Sequence, residues 1–154
     1  MKRLLSFLFL IVGLVLASCS EKPYYEKVYD FKGNVWKQDQ KSVFHVDIDD
    51  TSSVYRFVLT MRTTTDYSYN NAWLFWTTET PLKEKVREPF ELKIADPDGS
   101  WIGKNSGTIV ENQLTFAGRK IAIPGKYKFT IEQAVTLEQL DNVLDIGLTV
   151  YKEK

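Results

Sequence analysis

The sequence predicts an all-β protein: a jelly-roll-like antiparallel β-sandwich with one short helix between its last two strands. Three observations predict it. Apolar residues recur at every second position through most of the chain, clusters of turn-formers separate these runs, and a single segment carries helical spacing. In a strand, successive side chains point to opposite faces, so period two means one face buried and one wet.

In chain order, Tyr29-Asp30-Phe31 is a short candidate strand. Phe44, Val46 and Ile48 share a face opposite His45, Asp47 and Asp49. Tyr55, Phe57, Leu59 and Met61 oppose Arg56, Thr60 and Arg62, and Phe90, Leu92 and Ile94 alternate with Glu91 and Lys93. Leu114-Thr115-Phe116 and Ile121-Ala122-Ile123 are shorter candidates. Tyr127, Phe129 and Ile131 alternate with Lys128, Thr130 and Glu132, and Ile146, Leu148 and Val150 close the chain. Asp49-Asp50-Thr51-Ser52-Ser53, Asp96-Pro97-Asp98-Gly99 and Pro124-Gly125 supply the turns. Thr136 to Asn142 is the predicted helix: Thr136 and Gln139 fit a capping box, and Leu137 and Leu140 lie one turn apart.

One strand departs from the alternation. In Ala72-Trp73-Leu74-Phe75-Trp76, Trp73 and Phe75 face one way and Leu74 and Trp76 the other, so both faces are apolar. Such a strand is either covered on both sides or shows an aromatic face to a partner; cover by a loop is the expected case. Gln133 falls on the core phase after Ile131, and a buried amide needs partners, so it is expected to bond a neighbouring loop.

The N-terminus has its own logic. Basic Met1-Lys2-Arg3 precedes an apolar run, Leu4 to Leu16, far shorter than the ~20 residues that cross a bilayer as a helix. This is the pattern of a secretion signal. It ends in Leu16-Ala17-Ser18-Cys19, which resembles the lipobox read by lipoprotein signal peptidase. The resemblance implies cleavage before Cys19 and diacylation of Cys19, a covalent lipid and the only non-protein group expected. Two acyl chains anchor stably where one does not. Residues 1–18 are then removed, 19–28 form a tether with Pro23 and mixed charges, and 29–154 form one domain. Ten extended residues reach at most about 36 Å, which holds the domain close to its bilayer. Ser20 follows the cysteine; by resemblance to sorting rules in other Gram-negative bacteria, a non-aspartate here favours the outer membrane. Glu21 stands alone before Lys22, a weak form of the acidic run that marks surface display.

Composition and spacing then exclude most chemistry. Cys19 is the only cysteine, so acylation leaves no thiol for a disulfide, a metal or a nucleophile. Formal charge is zero over the chain and slightly negative once Lys2 and Arg3 are removed, which gives no electrostatic case for nucleic acid. No Lys/Arg cluster in the sequence suggests binding to anionic lipid heads. His45 is the only histidine and sits in the polar phase of its strand, so neither a triad nor a multi-His zinc site can be built. Asp96-Pro97-Asp98-Gly99 lacks the later acidic ligands of a calcium loop, with Gly107 where the bidentate Glu belongs, and reads as a hairpin turn. Gly99 to Lys104 is one residue short of a P-loop, and Asn105 replaces its Ser/Thr. Asp47, Asp49, Glu91 and Glu132 lie on polar strand faces and read as solvated rather than as a glycosidase pair. Tyr67, Tyr69, Trp73, Trp76 and Trp101 suit either a core or a sugar-stacking platform.

Several separated stretches resemble one family. Arg62 with Tyr67-Ser68-Tyr69-Asn70-Asn71-Ala72-Trp73-Leu74-Phe75 is similar to an Arg…Tyr-x-Tyr-x-Asn-Leu-x-Leu block. Ala95-Asp96, Gly99, Trp101-Ile102-Gly103 and Gly107 are similar to an Ala-Asp-x-x-Gly-x-Trp-x-Gly-x-x-x-Gly block. Gly125-Lys126-Tyr127-Lys128-Phe129, Glu132-Gln133-Ala134, Leu140 and Asp145-Ile146-Gly147-Leu148 match its C-terminal blocks, and Trp36 and Phe44 its start. The family is the GldH gliding-motility lipoproteins of Bacteroidetes. Ser68, Ala72 and Val135-Thr136 depart from its pattern. The resemblance implies a lipid-anchored, outer-membrane-associated accessory of gliding motility, a machinery that overlaps with type IX secretion. It implies no catalytic activity, no small-molecule substrate, and envelope proteins of that machinery as partners. The block residues Arg62, Tyr67, Tyr69, Asn71, Trp73, Asp96, Gly99, Trp101, Gly103 and Gln133 are the candidate interaction residues. A carbohydrate-binding surface lipoprotein is the alternative.

Overall fold

The computed structural model describes residues 21–153. Among them run eleven strands: β1 (Tyr25–Asp30), β2 (Val35–Lys37), β3 (Ser42–Ile48), β4 (Val54–Thr64), β5 (Asn71–Glu79), β6 (Lys85–Lys93), β7 (Lys104–Ser106), β8 (Ile109–Lys120), β9 (Gly125–Gln133), β10 (Gln139–Asp141) and β11 (Val143–Glu153). One sheet has the order β1-β11-β4-β8-β7 and the other β3-β9-β5-β6; a two-stranded clip, β2 with β10, stands apart. The strands pair antiparallel, which gives the expected sandwich.

The alternation read in the sequence is the alternation of burial. In β3, Phe44, Val46 and Ile48 are buried while His45 and Asp47 are exposed. In β4, Tyr55, Phe57, Leu59 and Met61 face the interior, where Phe57 meets Trp76 of β5 and Phe129 of β9 with ring centroids 6.2 and 5.1 Å away, edge to face. That arrangement sets the positive ring edge against the negative face. Burying this apolar area supplies the main driving force of the fold.

Four expectations need correction. The helix over Thr136–Asn142 does not form. Gln139–Asp141 is strand β10, paired with β2, and places Leu140 opposite Trp36 with both fully buried. Leu137 is exposed, so the one-turn spacing of the two leucines never closes a helical face. A 3-10 turn at Lys32–Asn34 is the helical piece among the described residues. Ile121-Ala122-Ile123 is not a strand but the connection from β8 to β9. The stretch read as tether already belongs to the fold, because β1 starts at Tyr25 and pairs along β11 from Tyr25↔Val150 to Asp30↔Asp145. Its exposed Glu26 and Lys27 look like linker composition, but an edge strand needs only one apolar face, here Tyr25 and Tyr29. Lastly, among the described residues no loop covers the outer face of β5 at Trp73. Leu74 and Trp76 enter the core, whereas Trp73 is 45% exposed and Phe75 is capped by the Arg87 guanidinium 3.6 Å from its ring centroid.

Strand direction gives the sandwich two poles. At one, the chain arrives: Glu21 pairs with Arg56 at 2.7 Å, and the Tyr24 N–H donates to the Val150 carbonyl. The connections β3–β4, β5–β6 and β8–β9 lie at this pole. From Val54 to Thr64, β4 runs about 35 Å at the usual strand rise. It ends at the far pole, which holds the β4–β5 loop, residues 95–103 and the β2–β10 clip.

Candidate functional site

The ten candidate interaction residues lie in the half of the sandwich towards the far pole. Two loops meet there. The Asn70 carbonyl accepts the N–H groups of Ile94 and Ala95, at 2.8 and 3.0 Å, which ties the β4–β5 loop to the segment after β6. That segment folds back on itself: Gly99 N–H donates to the Asp96 carbonyl, Asp96 N–H to the Ser100 carbonyl, and Ala95 bridges Trp101. Asp98 accepts the Ser100 N–H and hydroxyl, and these bonds hold its carboxyl below the ordinary range. Gly99 takes φ +87°, a conformation other residues resist. Gly103 has a different reason: a Cβ there would fall on the Glu111 carbonyl and the Asn112 side chain. Asp96-Pro97-Asp98-Gly99 is thus the hairpin turn its composition predicts.

Between the loops is a hollow of about 240 Å³ lined by Tyr67, Tyr69, Asp96, Gly99 and Trp101, so two separate sequence blocks converge there. Tyr67 forms its floor. It is buried, its hydroxyl donates to the Asn71 carbonyl at 3.1 Å, and burial pushes its phenol well above the usual range. Tyr69 stands edge to face on Tyr67 with centroids 5.6 Å apart and is 46% exposed. Trp101 packs half-buried against the core. Asn71 donates to the Glu91 carboxylate at 2.6 Å across the β5–β6 ladder.

The remaining candidates do structural work. Arg62 on β4 grips Asp145 on β11: its Nε donates at 2.9–3.0 Å and its Nη2 stands 2.6 Å from the carboxylate. Gln133 is buried and its Nε2 donates to the Trp36 carbonyl at 3.0 Å; it bonds strand β2 rather than a loop. Tyr69 and Trp73 are therefore the large exposed aromatics of the set. Cys19 and the recognition residues Leu16, Ala17 and Ser18 lie outside the described residues.

Among the described residues, the polar side chains weighed for catalysis are exposed or already paired. His45 is exposed on β3 opposite Lys128. Glu132 is engaged by Lys41 at 2.8 Å, and Asp49 by Lys152 at 3.1 Å and the Tyr24 hydroxyl at 3.0 Å. Among the described residues no three His, Cys, Asp or Glu side chains are placed to hold a metal ion. No helix among them is long and apolar enough to cross a membrane.

One feature escaped the sequence reading. Along the side where β6 faces β8 the sandwich is open, and a cleft of about 510 Å³ reaches Phe57, Trp76, Phe90 and Phe116. Glu88 and Arg119, charged residues on the inward phase of their strands, stand at its rim. β6 and the stretch of β8 beyond its short pairing with β7 have free edges, and inward charges at such edges discourage pairing with another chain. Glu88 continues the phase of Phe90 and Leu92, whereas a register shift between Tyr55 and Phe57 turns Arg119 inward against the alternation that runs from Leu114 to Phe116.

Comparison with known proteins follows the same lines. A homologue of the gliding motility lipoprotein GldH from Christiangramia forsetii is 26% identical over 154 residues, covering 95% of this chain and 94% of that protein. The gliding motility lipoprotein GldH of Flavobacterium johnsoniae is 28% identical, covering 94% of each. Among solved structures, TmCBM61 in complex with β-1,4-galactotriose aligns with a TM-score of 0.39 at 11% identity, over 86% of this chain and 90% of that one. Dimeric latent PorU from Porphyromonas gingivalis aligns with a TM-score of 0.40 at 10% identity, over 90% of this chain and 14% of that one. Likenesses this loose say nothing about what the chain binds. Residues 23–150, nearly all of the described domain, match the family described as GldH lipoprotein, and the chain belongs to that family.

Proposed function

We propose that this chain is a lipid-anchored, non-enzymatic accessory of bacterial gliding motility, acting by docking envelope proteins of that machinery and of the linked type IX secretion system. Acylated Cys19 would hold it at the outer membrane, with no further cofactor. Family membership along nearly the whole chain supports the gliding role. The observation that carries docking is the placement of Tyr69 and Trp73. Both are nearly half exposed, and both lie in the half of the sandwich remote from the arriving chain. Exposed aromatics on a rigid sheet and an anchored loop lose little entropy when a partner covers them, which is why such residues dominate interfaces.

The test is recovery of the tagged, full-length chain from crosslinked envelopes of its own cells. Motility or secretion components are expected with the native chain, and severalfold less with Tyr69→Ala/Trp73→Ala. Equal recovery with the double variant contradicts docking through this surface. The same exposure favours a second reading, carbohydrate binding. Glycan-array binding that Trp73→Ala abolishes would favour that reading over protein docking.

A further inference from the structure

The pole where the chain arrives has a surface of its own. The two most exposed large apolar side chains among the described residues are Leu82, at 63%, and Val86, at 54%. Leu82 is in the β5–β6 connection and Val86 is the second residue of β6, so both lie at this pole. Lys83, Glu84 and Lys85 flank them in the chain, Arg119, Lys120 and Glu88 line a hollow together with Val86, Glu79 is bound by Lys83 and Lys85 at 3.3 Å, and Lys126 follows Gly125. The basic residues come from two segments that the sequence keeps apart; Pro81 packs on Gly125 and closes them into one patch. On the other side of the pole, Asp49 and Asp50 are taken up by Lys152 and by the Ser52 and Ser53 hydroxyls. A leucine tip ringed by lysines suits the boundary between headgroups and acyl chains, where apolar tips insert and long basic side chains reach phosphates.

Chain length supplies the second argument. Glu21 is fixed to Arg56. Cys19 lies two residues earlier in the sequence, and two residues of chain reach at most about 7 Å from the Glu21 backbone. We infer that this pole rests on the bilayer, with Leu82 and Val86 in the interfacial layer and the surrounding lysines and arginines on lipid phosphates. The inference builds on the reading of Cys19 as the acylated residue. It turns the far pole, with Tyr69 and Trp73, away from the membrane.

Acylation of Cys19 leaves the mature chain without a thiol, so one introduced cysteine is a unique labelling point. The acylated chain is prepared as Leu82→Cys or as Ile102→Cys, whose position is 49% exposed at the far pole. Each is labelled with an environment-sensitive fluorophore and reconstituted into phosphatidylethanolamine–phosphatidylglycerol vesicles. Floated vesicles should show blue-shifted emission, quenched by spin-labelled lipid, at position 82 and water-like emission at 102. Floated protein with water-like emission at 82, or with equal shifts at both positions, overturns the docked pole and leaves the anchor standing. A shift at 82 that appears only with added envelope protein makes the patch a protein site and also overturns it. Protein that does not float overturns anchoring, and the docked pole with it.

Discussion

Arg62 and Asp145 lie 83 positions apart and meet across neighbouring strands. The Asp145 side chain is only 3% exposed and that of Arg62 39%, so the pair is half in water. Removing the guanidinium leaves a carboxylate desolvated with no cation, and breaking a buried pair in this way is strongly destabilising. Discounting for the exposed partner, Arg62→Ala should cost about 2 kcal/mol in denaturant unfolding. At the opposite pole, Asp50 accepts hydrogen bonds from Ser52 and Ser53 and is paired with Lys152; these hold its carboxyl far below the usual range. A depressed folded value means stability present above the unfolded carboxylate pKa of about 3.9 and lost as pH falls through the folded one. Unfolding midpoints should therefore fall between pH 5 and strongly acid conditions, and fall less in Asp50→Asn; an identical acid loss in both would contradict this role. Residue types were legible at both places. The partners were not: Asp145 sits in a sequence block with no mark tying it to Arg62, and Lys152 is far from Asp50 in the chain.

At the scale of elements, strands were legible where apolar residues alternate over several repeats, as in the seven residues of β3 and the eleven of β4; β8 has twelve residues but alternates plainly only around Leu114-Thr115-Phe116. β2, β7 and β10 have three residues each, too few to show a period. Hence Gln139–Asp141 was assigned to a helix on a capping box and one leucine pair, when its conformation is decided by backbone pairing with β2. The β2–β10 clip is held to the sandwich through Trp36, which stacks on Phe31 at 4.8 Å and whose indole donates to the Gln40 carbonyl. Gln133 adds the buried bond to the Trp36 carbonyl. Gln133→Ala removes one donor from a carbonyl that the β2–β10 ladder also engages, at a cost of about 0.5–1.5 kcal/mol. The loss should be local. Amide exchange should quicken in β2 and β10 while β4 and β11 keep their protection; uniform acceleration would show that the clip is not a separate unit.

Across the whole molecule, the sequence announced a sandwich and an anchor but not the division of surface between two ends. Trp73 read as a residue under cover because an all-apolar stretch carries no sign of which face meets water. The basic patch by Leu82 was invisible because residues 83–85 and 119–126 contribute separately. On the proposed reading the two ends describe a spacer: the acylated cysteine and the basic residues would hold one pole at the bilayer, and about 35 Å of strand leads to the exposed aromatics at the other. Tyr69 and Trp73 touch the core only at its margin, so replacing both should shift stability by roughly 0.5–1 kcal/mol and leave the fold intact. The most direct measurement is gliding by cells of the source organism in which Tyr69→Ala/Trp73→Ala replaces the native chain at equal abundance. The account predicts that they stop moving while the variant still fractionates with the membrane; cells that glide at the native rate would contradict it.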